Sequence, residues 1–164
     1  MKVKEIVLIA LLSALEFVIF SSFSYVLYLE LITFVIVVIA LNFSLRVSIL
    51  SSLVFALINI LFVQGIQFWS AGYLVIYPTY SLIVGLNKKY LTSSLVVSVI
   101  CGFLSFLTGQ LLQIPFMLLS SHITFLYIIL GLKTSLIQGI ISGISCFILF
   151  KHVVRVLNSY ARRI

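Results

Sequence analysis

Acidic residues are almost missing from this chain. Its 164 residues include no aspartate, and glutamate occurs only as Glu5, Glu16 and Glu30. Charged residues amount to 8%, against about a quarter in a soluble domain. So few charges cannot cover a surface in water. In a bilayer they need not, because lipid replaces water as the solvent for apolar side chains. A membrane enzyme would need paired carboxylates, histidine clusters or an activated nucleophile. None is evident, so the chain reads as a non-enzyme with no cofactor and no metal. His122 and His152 are expected on opposite sides of the membrane, which argues against a shared metal site.

Other absences narrow the reading. There is no glycine-rich phosphate loop, so any ATP-driven step would belong to another subunit. The two cysteines, Cys101 and Cys146, lie in apolar stretches without ligand partners at fixed spacing and read as small buried residues.

What is present is apolar: 63% of the residues are hydrophobic. A spanning helix needs about 20 mostly apolar residues, which leaves room for about six or seven spans and short loops. The spans are expected near Lys4–Phe23, Tyr25–Phe43, Val47–Val63, Ser70–Leu86, Leu91–Leu118 and Leu132–Leu157. Lys2 and Lys4 before an apolar run resemble a signal peptide. The run from Ile6 to Phe23 is long for one and lacks a clear cleavage site, so it reads as a retained first helix. The second span is short, and Glu30 is expected in its outer turn if the helix begins near Tyr25.

Basic residues set the orientation, because cytoplasmic segments carry the positive excess. An even number of spans puts Lys2, Lys4, Arg46, Lys88, Lys89, Lys151, Arg155, Arg162 and Arg163 on one side, with only Lys133 opposite. The expected fold is therefore an all-α integral membrane protein, a compact bundle of six transmembrane helices over residues 1–164 with both termini cytoplasmic. The net charge of +7 follows from this orientation, and the scattered basic residues do not make a nucleic-acid surface. The expected outer loops are Ser21–Glu30, Gln64–Ala71 and Leu119–Gly131.

Small residues one turn apart let helices approach closely. Ala10 and Ala14 form such a strip on the first helix. Ser98, Gly102, Ser105 and Gly109 form one on the fifth, and Gly139 with Gly143 one on the sixth; these two read as packing within the bundle. Glu16 lies about 18 Å along the first helix, pointing away from Ala10 and Ala14. An ionisable group at that depth is a functional candidate, with a structural partner such as Lys133 or a hydroxyl as the plainer reading. Polar and aromatic groups gather toward the outer half. Trp69, Tyr73, Tyr77 and Tyr80 repeat at helical spacing, Gln64 and Gln67 flank the third loop, Gln110 and Gln113 lie near the outer end of the fifth span, His122 is in the last outer loop, and Lys133 opens the sixth span. An interfacial aromatic belt accounts for Trp69 and Tyr73 equally well. Buried amides need partners. Together with Glu30, Gln67, Trp69, Tyr73, Tyr77, Gln110, Gln113 and Lys133 could line an outward-opening solute pocket.

The chain resembles the substrate-binding S components of energy-coupling factor (ECF) transporters over nearly its whole length. The resemblance rests on size, six spans, Ala10-Leu-Leu-Ser-Ala14, and the segment Trp69-Ser-Ala-Gly-Tyr-Leu-Val-Ile-Tyr-Pro78. It rests also on Gln113-Ile-Pro-Phe116 and a final helix with Gln138-Gly139 closing at Phe150-Lys151. It implies a multi-pass subunit of the plasma membrane that captures a vitamin or similar micronutrient outside the cell. The subunit would dock on a transmembrane T component through Ala10 and Ala14. Two cytoplasmic ATPases would drive its toppling and inward release. A small accessory or scaffold membrane protein is the alternative; it would explain the small-residue strips but not the outer polar cluster.

Overall fold

A computed structural model describes residues 2–26, 29–67, 69–118 and 121–161, with side chains outside 117–124, 127 and 157–161. The side chain of His122, and Arg162 and Arg163, lie outside the described residues. Among the described residues six α-helices follow one another: α1 Val3–Phe23, α2 Ile32–Asn42, α3 Leu45–Asn59, α4 Ala71–Leu86, α5 Ser94–Leu111 and α6 Ser121–Ala161. No strand occurs among the described residues. Four segments are long and apolar enough to cross a membrane: Val3–Phe23, Leu45–Gln64, Ser94–Phe116 and Ile128–Val156.

Two elements differ from the sequence expectation. The second helix begins at Ile32 rather than near Tyr25, leaving 11 residues and a length of about 16 Å. Every residue from Ile32 to Ala40 is buried, so α2 is the central rod of the bundle. A helix that is apolar all round belongs in a core. Glu30, placed just before it, turns toward other helices. The second difference is the expected outer loop Leu119–Gly131, which is helical from Ser121 onward and makes α6 a 41-residue helix. The residues there are apolar, and Gly131 alone does not break a helix that packs on a neighbour.

Serines tie the helices where they touch. Ser13 of α1 donates to its own Ile9 carbonyl at 2.7 Å and to the Ser51 carbonyl of α3 at 3.0 Å. Further along both helices Phe20 meets Phe55, centroids 5.7 Å apart, so α1 and α3 run parallel. Ser81 of α4 donates to Ser52 of α3 at 3.0 Å. The small-residue strips of α5 and α6 face each other: a Cβ on Gly102 would stand 2.7 Å from the Gly139 carbonyl, and one on Gly139 2.7 Å from that of Gly102. Gly109 lies against Ser135, so α5 and α6 run antiparallel.

The connections group at two ends. Lys88, after α4, donates its Nζ to the Phe43 carbonyl after α2, and burial lowers its pKa. That contact joins the two turns bearing Arg46, Lys88 and Lys89. At the other end Trp69 stacks on Phe116 at 5.5 Å and 19°, joining the connection before α4 to the one before α6.

Candidate functional site

Stacked layers of side chains lie between α1, α3 and α4. The lowest is small and polar: Ser13, Glu16, Ser48, Ser51, Ser52 and Ser81 are all buried. Above it sits an aromatic layer. Phe20 packs on Phe55 and Tyr73, Phe55 lies 5.6 Å from Tyr77, and Tyr73 stacks on Tyr77 at 5.3 Å and 15°. At helical spacing, residues four apart share a face, so α4 presents Tyr73, Tyr77 and Ser81 in one column.

Beyond the aromatic layer is a pocket of about 250 Å³. Phe20 and Phe23 of α1, Ser24, Glu30, Gln64 and Gln138 of α6 contribute to its lining. Local backbone explains how Gln64 reaches it. The last turn of α3 widens to π-type hydrogen bonding over Ile60–Gln64, and Gly65 ends it at φ 73°, a conformation glycine adopts without steric cost.

Glu30 organises this pocket. Thr33 donates its hydroxyl to Oε1 at 2.9 Å, Gln138 donates Nε2 to Oε2 at 2.7 Å, and the Ser105 hydroxyl also donates to Oε2. Residues from α2, α5 and α6 thus converge on one half-buried carboxyl group. The hydroxyls of Tyr73, Tyr77 and Tyr80 lie within its electrostatic reach.

Of the residues singled out from sequence, Glu30 and Gln64 line the pocket, while Tyr73 and Tyr77 are core rings beneath it. The others lie elsewhere. Trp69 is engaged with Phe116, and Gln67 is exposed in the turn before α4. Gln110 donates to Ser135 at 2.9 Å across the α5–α6 seam. Gln113 donates to the Gly109 carbonyl at 3.0 Å and its amide abuts Gly131. These two amides therefore close the helix interface. Lys133 is exposed, and five residues from Gln138 puts it roughly 140° around α6 from the pocket. Ala10 and Ala14 are exposed on α1, on the side opposite Glu16, among Val7, Leu11 and Val18.

Comparison with protein-family models, curated proteins and solved structures finds no match for this chain. The residues themselves carry the reading.

Sequence reasoning missed Gln138, Ser105 and Thr33 as site residues. A lone amide in the middle of an apolar final helix was the available signal for Gln138, since such a group requires a partner. Chemically, the arrangement is a fixed acceptor. Three neutral donors hold the carboxyl in place and leave part of its acceptor capacity, about four positions in all, unused beside the cavity.

Glu16 is the contrasting acid. It is fully buried, and neither carboxyl oxygen has a hydrogen-bond partner among the described residues. Ser51 lies beside it but donates to the Ser48 carbonyl at 3.1 Å. Asn59, one turn above Phe55, is likewise fully buried with both amide atoms unpartnered among the described residues.

Proposed function

We propose that this chain is a solute-binding subunit for uptake across the plasma membrane, of the kind the S-component resemblance implies, with a vitamin-like micronutrient as solute. One observation carries the reading: a pocket with a pre-positioned carboxyl group at the end of the bundle away from its basic turns. Ligand sites are concave and fixed by a few placed polar groups, and the Glu30 pocket sets Ser24, Glu30, Gln64 and Gln138 among apolar side chains. It has no catalytic group of its own in this reading, and transport requires a partner.

The proposed topology is six spans with both termini cytoplasmic. The joining of the Arg46 and Lys88–Lys89 turns at one end supports it, because basic residues remain inside. The short α2 crosses within the bundle, enclosed by the other helices, whereas α4 keeps Val75, Leu82, Ile83 and Leu86 exposed along its outer side. A cysteine replacing Lys89 should be labelled only from the cytoplasm, and one replacing Gln67 only from outside. Labelling of both from the same side would eliminate this topology.

The exposed Ala10–Ala14 strip is the proposed docking face for a transmembrane T component, which would bring two cytoplasmic ATPases. Small residues on an outward face allow a partner helix to approach closely. The test is to purify the chain from its native membrane. Co-purification of a larger membrane protein with two ATPases, and release of a small molecule on denaturation, are the expected results. Purification alone, with neither partners nor solute, in membranes that transport normally, would refute the proposal.

A further inference from the structure

We propose that the Glu30 pocket selects a small organic cation, an ammonium, amidinium or cationic ring. This rests on the solute-binding reading above and names its substrate class.

The charge balance of the site carries the inference. Glu30 is one of three acids in the chain, and the other two lie elsewhere: Glu5 accepts from the Lys2 backbone at 3.0 Å, and Glu16 lies beneath the aromatic layer. No basic side chain lines the pocket among the described residues. Lys133, the only basic residue assigned to that end, is exposed on another side of α6. Every hydrogen-bond partner of the Glu30 carboxyl is a neutral donor, a hydroxyl from Thr33 or Ser105 or the amide of Gln138. Such donors hold a carboxylate in place and do not neutralise it. Burial makes the charged form of Glu30 costly and raises its pKa, and a cation arriving in the cavity removes that cost and draws the group to its carboxylate form. An anion arriving there would meet like charge at short range in a low dielectric.

The walls indicate that the cation is organic. Phe20 and Phe23 contribute to the lining, and aromatic rings attract ammonium and cationic rings. Hard metal ions need six to eight oxygen ligands, and one carboxylate with amide and hydroxyl neighbours does not supply that set. A cavity of about 250 Å³ equals about eight water volumes at roughly 30 Å³ each, enough for a solute of one or two rings. Ser24 and Gln64 remain to bond its polar edge.

The experiment uses the full chain purified in detergent and three probes of one shape: benzylammonium, benzyl alcohol and phenylacetate. Affinity is read by thermal stabilisation titrated with each probe at neutral pH. Benzylammonium should bind about tenfold or more tighter than benzyl alcohol, with phenylacetate weakest. Glu30→Gln keeps the size and one acceptor oxygen while removing the charge, and should bring benzylammonium down to the level of benzyl alcohol. The wild-type series decides the question even if this variant does not fold. Equal binding of all three, or tighter phenylacetate, overturns the cation inference while leaving a solute pocket in place. No stabilisation by any probe, together with no small molecule released from the native protein, overturns both.

Discussion

Glu16 and Glu30 stand on opposite sides of one aromatic layer, and Tyr77 is within electrostatic reach of both. They differ in everything else. Glu30 borders a cavity and is gripped by donors from three helices; Glu16 does not line that cavity and has no partner among the described residues. The lesson concerns what burial of an acid signifies. Burial alone fits a structural remnant or a site equally well. Convergent donors combined with open volume point to a ligand.

The largest expected effect comes from Glu30→Leu. It strands three donors, at roughly 1 kcal/mol each, for a total loss of about 3 kcal/mol. The thermal unfolding midpoint in detergent should fall sharply and retained solute should vanish from the mass spectrum. An unchanged midpoint would place Glu30 outside the packed network.

Gln138→Leu removes one donor from the same carboxyl and should cost about 1–2 kcal/mol. Solute binding should weaken alongside, which equilibrium titration would read. Full binding with reduced stability would make Gln138 a purely structural partner. Glu16→Leu is the opposite case. Replacing an unpartnered buried carboxyl by an apolar side chain should shift stability by less than about 1 kcal/mol in either direction, and binding should persist. A collapse of stability would reveal a partner for Glu16. The smallest effect on stability, within about 0.5 kcal/mol, is expected for Ala14→Trp on the exposed face of α1. Transport and partner assembly should fail in that variant, as reconstituted uptake would show; intact uptake would assign the strip to lipid contact.

The sequence carried the helical class and the approximate position of each helix, because long apolar runs punctuated by charge leave little freedom. It could not show which runs face lipid. Ile32–Ala40 reads the same whether it lies in a bilayer or a protein core, and only Glu30 hinted that the helix starts late. The long α6 was hidden by Ser120, Ser121 and His122, which look like a loop when read by polarity alone. For the site, the spacing of Trp69, Tyr73 and Tyr77 defined a face of α4 but not what covers it. Phe116 covers the first, and Phe20 and Phe55 pack on the others. The Glu30 network joins positions up to 108 residues apart, and no local pattern encodes such a meeting.

The shortness of α2 has a consequence for how the protein enters a membrane. Eleven mostly apolar residues fall well below the ~20 needed to span lipid independently. Once α1 has inserted, α2 therefore has no stable resting place until later helices arrive to surround it. The nascent chain is expected to hold this segment outside and draw it in only as the bundle closes. A topology reporter fused directly after Asn42 should then sit outside, whereas the same reporter inserted at that turn of the full-length chain should sit in the cytoplasm. Cytoplasmic placement in both would mean that α2 inserts unaided.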